Sequence, residues 1–184
     1  WFVKFRYPGH ENQKMIESPL GLIPDGWEVV DTKKIIERLK NGNVYTKEMV
    51  SEVGNVIVVD QSRDDYLGFH SNPHDHAATA ENPLIIFGDH TCKTQLMVEN
   101  FSIGPNTIVF RANEIFERPI QYLFYLVKNL TETKEYKRHW SELNSKVVVI
   151  ADGFNAGKFS ILITPYLAQI NILKKKNRNL MMQR

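Results

Sequence analysis

The chain opens with WFVKFRYPGHE at residues 1–11 and continues with SPLGLIPDGW at residues 18–27, and these two stretches decide how the rest of the sequence is interpreted. Turn-forming residues recur closely in them, including Pro8-Gly9 and Pro24-Asp25-Gly26. This composition is typical of a connecting segment that crosses a surface before an ordered element begins at Trp27. We therefore predict a connector over residues 1–23.

After this opening, short apolar runs rich in β-branched residues predict a domain of strands and long loops, over residues 24–163. The polar stretch at residues 60–82 is dense in Asp, His, Ser and Asn, and a loop of that length in a compact domain usually binds something or is disordered. The predicted strands lie at residues 27–30, 56–59, 83–87, 107–110 and 147–150.

Helical periodicity appears at four places. A short helix capped by Asp31 or Thr32 would carry Ile35, Ile36 and Leu39 on one face. A buried helix follows Pro119 at residues 119–127, and a more polar helix is predicted at residues 132–143. Thr164-Pro165 then predicts the start of a last helix over residues 164–184.

This last helix has a heptad-like seam with an Asn inside it, a residue that typically fixes helix register and partner number. Because an isolated helix of about 20 residues is marginally stable, it must pack on another helix or on its own domain. We favour a partner from another segment or molecule. Lys174, Lys175, Lys176 and Arg178 are expected to be solvated or near phosphate. The seam residues are Tyr166, Ile170, Leu173, Asn177 and Leu180.

Composition indicates a globular protein, with 42% hydrophobic and 24% charged residues among 184. Charge is unevenly placed: residues 1–127 carry 12 Lys/Arg and 17 Asp/Glu, whereas residues 128–184 carry 11 and 4. The basic last third suits an anionic partner or a solvated helix surface.

No apolar run is long enough for a membrane span or a signal peptide. The single cysteine, Cys92, fits a reducing cytoplasm, where we expect the protein to act.

Motifs that carry chemistry are missing. The sequence contains no G-x-S-x-G elbow, no phosphate-binding G-x-x-x-x-G-K-[ST] or G-x-G-x-x-G loop, and no N-P-P-Y motif of amino-methyltransferases. Cys92 has His90 two residues away but no evident third partner for nucleophilic catalysis. We therefore expect a protein that is not an enzyme and that uses no cofactor.

A histidine-rich loop suggests the main alternative to a protein without catalytic activity. His70, His74, His76 and His90 could supply nitrogen ligands to a metal, with carboxylates nearby, which would make the chain a metal-dependent hydrolase. Loops of this composition are more often solvated turns, and the spacing is irregular for a dedicated site. We therefore predict no metal and keep the hydrolase as an alternative, together with a helix-mediated protein–protein scaffold.

A site that binds double-stranded DNA requires fewer specific residues than a catalytic or metal site. Cations are needed for phosphates, and amides, hydroxyls or guanidinium groups on loops are needed for base edges. Candidates cluster in the polar loops, although any single one is more often ordinary surface. The predicted DNA-binding residues are Lys40, Asn43, Lys47, Gln61, Ser62, Arg63, His90, Thr91, Lys93, Gln95, Lys137, Arg138, His139 and Trp140.

The opening resembles the connector of specificity subunits of type I restriction–modification systems. In that family W-F-x-x-F-R-[FY]-P-G-H-E leads through S-x-L-G-x-[IV]-P-x-G-W into a target-recognition domain, usually the second of two. The stretches at residues 83–91 and 122–126 and the seam resemble later parts of the same pattern. Ala151-Asp152 departs from it, since many relatives have proline there.

The resemblance implies an α/β (α+β) target-recognition domain with a twisted mixed sheet, flanking helices and a C-terminal spacer helix of coiled-coil type. It implies that the domain reads one half of a bipartite DNA site. Methyltransferase and restriction subunits bound around it would carry the chemistry. The spacer helix would pair with that of another recognition domain.

Overall fold

The computed structural model describes residues 1–128, 130–133 and 137–182, with side chains described up to residue 180. Its α-helices are α1 Thr32–Ile35, α2 Ile120–Val127, α3 Trp140–Asn144 and α4 Gly153–Met182. Its strands are β1 Met15–Ile16, β2 Ile23–Pro24, β3 Glu28–Asp31, β4 Ile36–Arg38, β5 Val56–Val59, β6 Gly68–His70, β7 Leu84–Gly88, β8 Thr94–Met97, β9 Phe101–Ile103, β10 Thr107–Ala112 and β11 Val147–Ile150.

The largest sheet is antiparallel, with strand order β4-β10-β7-β8. Strand β7 lies inside it and is buried on both faces: Ile85 and Phe87 point into one hydrophobic core, and Leu84 and Ile86 into a second. Successive side chains of a strand point to opposite faces. A strand covered on both sides therefore needs an unbroken apolar run, which explains the composition of residues 83–87.

The first core lies between this sheet and helix α2. Tyr122 and Leu123 are fully buried there, and the Tyr122 hydroxyl accepts a hydrogen bond of 2.7 Å from the Ala151 backbone N–H. Burial raises the pKa of Tyr122 to about 12. The opening segment packs on the same core, since the rings of Phe2 and Tyr122 are 4.7 Å apart and Tyr7 is buried. The segment predicted as a connector is thus attached to the domain through its aromatic residues.

The second core separates the large sheet from a three-stranded sheet of order β6-β5-β9. Strand β5 pairs antiparallel with β6 and parallel with β9, so this smaller sheet is mixed. Two further pairs, β1-β2 and β3-β11, are antiparallel. The predicted α/β class with flanking helices and a C-terminal helix is confirmed, with several small sheets in place of a single one.

The predicted strands and the helix after Pro119 are present, with shifted ends at some of them. The helix after Asp31 is wrong beyond its first turn, because Ile36 leaves it to pair with Ala112 in the sheet. The helix predicted at residues 132–143 lies partly outside the described residues. Of the described residues in this range only 140–143 are helical, and they belong to α3.

The start predicted for the last helix is also wrong. Helix α4 begins at Gly153, and Asp152 caps it by accepting a 2.9 Å hydrogen bond from the Asn155 N–H. Thr164 lies inside the helix, and its hydroxyl donates to the Ser160 carbonyl at 2.7 Å. Pro165 thus lies inside the helix, and a Thr-Pro pair does not by itself mark where a helix starts.

Candidate nucleic-acid interface

Three polar segments, residues 60–65, 88–93 and 137–140, meet at one place, which we call the loop junction. Gln61 connects the first two: its side-chain oxygen accepts from the His90 N–H at 3.0 Å, and its carbonyl accepts from the Thr91 hydroxyl at 2.7 Å. The third segment joins through His90 Nδ1, which is 3.0 Å from the Lys137 carbonyl oxygen. Candidates that are up to 79 residues apart in the sequence are therefore neighbours.

Lys93 holds the loop junction together from inside. Its ammonium group donates to the backbone carbonyls of Asp60 at 3.0 Å and Asp64 at 2.6 Å. Burial lowers the pKa of Lys93, which Asp60 and Asp65 partly oppose. Because two loop carbonyls already occupy this ammonium group, Lys93 is better suited to shaping the loop than to contacting a phosphate. Ser62 is also tied inward, to the Asp60 carboxylate at 2.6 Å.

The surface of the loop junction is formed by Arg63, Thr91, Lys137 and Arg138, which are exposed. The prediction of His139 as a DNA-binding residue is wrong, because its side chain is fully buried and cannot contact DNA. Its Nδ1 is 3.3 Å from a Glu142 carboxylate oxygen.

The segment after β4 carries the next group of candidates. Lys40 and Lys47 are exposed there, and neither has a carboxylate within 4.0 Å among the described residues. Asn43 is also exposed but is tied to Asp75, since its backbone N–H and its side-chain amide both donate to that carboxylate, at 2.9 and 3.0 Å. This carboxylate also accepts from Ser102 at 2.6 Å. Burial pushes the pKa of Asp75 up, but these hydrogen bonds outweigh burial and lower it.

Three of the four histidines of the hydrolase alternative have structural partners, whereas His74 is exposed. His70 is buried and stacks on Tyr45 at 4.1 Å, and buried His76 stacks on Phe101 with its Nε2 2.9 Å from the Asn41 carbonyl oxygen. His90 belongs to the loop junction instead. Across residues 1–128, 130–133 and 137–182, no three His, Cys, Asp or Glu side chains are grouped so as to hold a metal. The geometry therefore gives no support to the hydrolase alternative.

Gln95 is not brought to the loop junction. It lies on β8 and lines a crevice beneath helix α4, together with Lys174 and Arg178. The sequence placed it near His90, but the turn after β7 directs the following strand toward the C-terminal helix. Gln95 thus borders the crevice under α4, where Asp65 of the first loop segment also lies.

The inner face of α4 is joined to the domain by ion pairs. Arg178 makes a bidentate contact with the Glu99 carboxylate, with a closest distance of 2.9 Å, and Lys175 is 3.4 Å from the same group. Lys174 pairs with Asp65. These three cations are therefore not free for phosphate, contrary to the expectation from sequence, because acidic residues of the first two thirds of the chain face them.

The predicted seam of α4 is exposed along the side of the helix, where Asn177 also borders the crevice, and we call it the outer seam. Tyr166, Ile170, Leu173 and Leu180 are between 46% and 61% exposed, and Asn177 is exposed beside them. The helix covers the domain instead with a neighbouring stripe that includes Ala156, Phe159 and Leu167. An apolar row left open in this way is available to another helix.

A polar pocket lies next to the loop junction. It is bordered by Arg38 at the end of β4, Asn41, Asn106, Arg138 and Trp140. Trp140 forms its wall, with its ring 5.6 Å from Phe110 and the Arg38 guanidinium carbon 5.9 Å from its centroid. Arg138 and Trp140 were predicted from the sequence. Arg38, Asn41 and Asn106 were not, because no local pattern marks where a strand end meets a distant turn.

No family model matches the sequence, and no curated protein does. Solved structures do match the fold. A type I restriction–modification S subunit from M. genitalium aligns with a TM-score of 0.62 and 14% identity over 86% of this chain and 43% of that one. A structure described as showing complex assembly and conformational transition of the type I R-M system gives a TM-score of 0.57 and 13% identity over 90% of this chain and 43% of that one.

The HsdS subunit from Thermoanaerobacter tengcongensis gives a TM-score of 0.53 and 15% identity over 85% of this chain and 40% of that one. The chain thus spans about two fifths of the length of these solved chains and shares their fold. None of the helices among the described residues has the length and apolar character to cross a membrane.

Proposed function

We propose that this chain is a DNA target-recognition domain of a type I restriction–modification specificity subunit. The observation that carries the proposal is the fold, which three structures from such systems share over 85–90% of this chain. The loop junction supports it, since its segments are fixed to one another by hydrogen bonds and still present Arg63, Lys137 and Arg138 to solvent. Such loops suit contacts to phosphates and base edges.

In this proposal the domain reads one half of a bipartite site in double-stranded DNA. It directs methyltransferase and restriction subunits to that site, and it performs no chemistry itself. The residues divide into a connector (1–23), a recognition domain (24–163) and a spacer helix (164–184), although α4 already begins within the second of these. The protein would act in the cytoplasm, where the DNA and its partner subunits are.

The outer seam supports the second part of the proposal, the spacer helix. Its apolar side chains are unused by the domain, and its spacing places them along one stripe of α4. A helix from another recognition domain, in the same chain or in a second copy, would bury them.

Sequence-specific binding is the direct test. The full-length protein that contains this chain is mixed with random DNA duplexes, alone and with its methyltransferase subunit, and bound duplexes are sequenced. We expect one enriched motif, and binding that weakens as salt is added. In the source cells, deleting the reading frame should remove methylation at the same motif. Failure to enrich any motif in both mixtures would contradict the proposal.

A further inference from the structure

The pocket beside the loop junction contains an arginine, Arg38, for which the described residues provide no ion pair. Among the described arginines, Arg111, Arg118 and Arg178 each form a close ion pair with a glutamate, at 2.9, 2.6 and 2.9 Å. Arg38 has no carboxylate within 4.0 Å in the described part of the chain, and it is exposed. The carboxylate of its neighbour Glu37 accepts two hydrogen bonds from Arg111 instead.

Strand register explains this difference. Glu37 lies opposite Arg111 on β10, whereas Arg38 lies opposite Phe110. Since alternate residues of a strand point to opposite faces, the Glu37–Arg111 pair occupies one face of the sheet and Arg38 the other. On that other face the Arg38 guanidinium lies over the Trp140 ring, at 5.9 Å from the centroid.

Trp140 is itself fixed from two sides. Its backbone N–H donates to the Asp89 carboxylate at 2.8 Å, and its ring packs on Phe110 and Phe87 at 5.6 and 6.0 Å. A guanidinium over such a ring keeps its edge N–H groups available and loses less freedom when it makes a paired hydrogen bond. The structure therefore holds a pre-oriented arginine fork at the wall of a polar pocket.

On the premise that the chain reads DNA, as proposed above, we propose that Arg38 reads a guanine. The guanidinium edge would donate two hydrogen bonds, to O6 and N7 of the base, the commonest specific contact in the major groove. Asn41 and Asn106 border the same pocket and could contact neighbouring base edges. Arg138, whose side chain is 79% exposed at the rim, is 3.9 Å from Asp89 and is placed for an adjacent phosphate.

The test begins from the motif that the wild-type protein enriches. Each guanine of the motif is replaced in turn by 7-deazaguanine, which lacks the N7 acceptor, and Kd is measured for wild type, Arg38→Ala and Arg38→Lys. At one guanine we expect wild type to lose about 5- to 100-fold in affinity. Arg38→Ala should be nearly insensitive to that replacement, since it retains no donor. Arg38→Lys keeps a donor but loses the planar fork, so it should bind the motif more weakly than wild type and lose less affinity on the replacement.

Arg63→Ala is the matched control, because Arg63 is an exposed arginine of the loop junction that has no ring beneath it among the described residues. It should weaken binding to all duplexes alike and keep the motif and its guanine dependence. The assignment is overturned if Arg38→Ala retains wild-type sensitivity at every guanine, or if the enriched motif contains no guanine. An absence of any motif with wild type would instead defeat the proposed function, and this assignment with it.

Discussion

Two groups of basic residues in this chain are held in opposite ways. On α4, Lys174, Lys175 and Arg178 are neutralised by Asp65 and Glu99. On the loops, Lys40, Lys47 and Arg63 have no carboxylate within 4.0 Å among the described residues. Three cations from the most basic part of the sequence are thus paired within the domain, whereas three cations from its acidic part are left available. A charge imbalance along a sequence therefore identifies neither the surface nor the partner.

The largest effect should come from removing the loop cations. If Lys40, Lys47 and Arg63 contact phosphates, replacing all three with Ala should make the salt dependence of log K shallower by about 3 and weaken DNA binding at 0.1 M salt by roughly two to three orders of magnitude. Fluorescence anisotropy with a motif duplex over a salt series measures both quantities.

Lys176→Ala is the control for this triple substitution. Lys176 is exposed on α4, and the described residues provide no ion pair for it. Its removal should change affinity less than any single loop substitution. If Lys176→Ala and the loop variants had equal effects, the available cations of the two regions would be equivalent and the comparison would fail.

The next effect concerns stability, and it should come from the helix. Arg178→Ala removes a bidentate partner of Glu99 and the contact of its guanidinium with Phe69 at 5.9 Å, and leaves only Lys175 beside a carboxylate that is 28% exposed. We expect a loss of about 2 kcal/mol in the free energy of unfolding. Urea unfolding measures it, and Lys176→Ala should stay within about 0.5 kcal/mol of wild type. Equal losses in the two variants would show that the ion pairs contribute nothing.

The sequence predicted the parts of the fold that repeat locally. The runs at residues 56–59 and 147–150 are strands because β-branched apolar residues bounded by turns suit a buried strand. The short strands β6 and β9 could not be read in the same way. Each has three residues, and what fixes them is pairing with β5 from distant positions.

The candidate site likewise combines features that the local sequence predicts with features that only tertiary packing determines. Polar residue types on loops predicted Gln61, Arg63 and Thr91 as members of one surface, and the structure brings them together. Burial of His139 and the inward turn of Lys93 depend on tertiary packing, which no local pattern encodes. Arg38 was missed because its importance comes from Trp140, which is remote in sequence.

A smaller, pH-dependent effect on the free energy of unfolding should come from the loops, whereas the ion pairs of α4 among the described residues have no histidine in them. The loop after β4 depends on His76, whose pKa is lowered by burial and by His74, against the opposing influence of the Asn41 carbonyl and Asp75. Neutral His76 therefore contributes stability that is present above the unfolded pKa of about 6.5 and is lost as pH falls through the folded pKa.

His76→Gln tests this contribution. Glutamine keeps a donor for the Asn41 carbonyl but does not titrate, so the fall in unfolding free energy between pH 7 and pH 5 should be shallower than in wild type. Asp75 titrates only at lower pH, since its pKa is also lowered. An unchanged slope in this interval would show that protonation of another group weakens the domain.

The smallest effect on stability should come from the outer seam, and it sharpens the contrast between the two faces of α4. Leu173 is 51% exposed on the outer seam, whereas Leu167 packs on the first core. Leu173→Ser should change the free energy of unfolding by less than about 0.5 kcal/mol, and Leu167→Ser should cost more because it removes buried apolar area. If the partner helix belongs to a second copy, analytical ultracentrifugation of the full-length protein should show that Leu173→Ser weakens association while Leu167→Ser does not. If the partner helix lies in the same chain, Leu173→Ser should instead lower the unfolding free energy of the full-length protein by more than about 1 kcal/mol. Full-length protein in which Leu173→Ser changes neither quantity would mean that the exposed row on α4 is ordinary surface, and that the spacer role assigned to this helix is wrong.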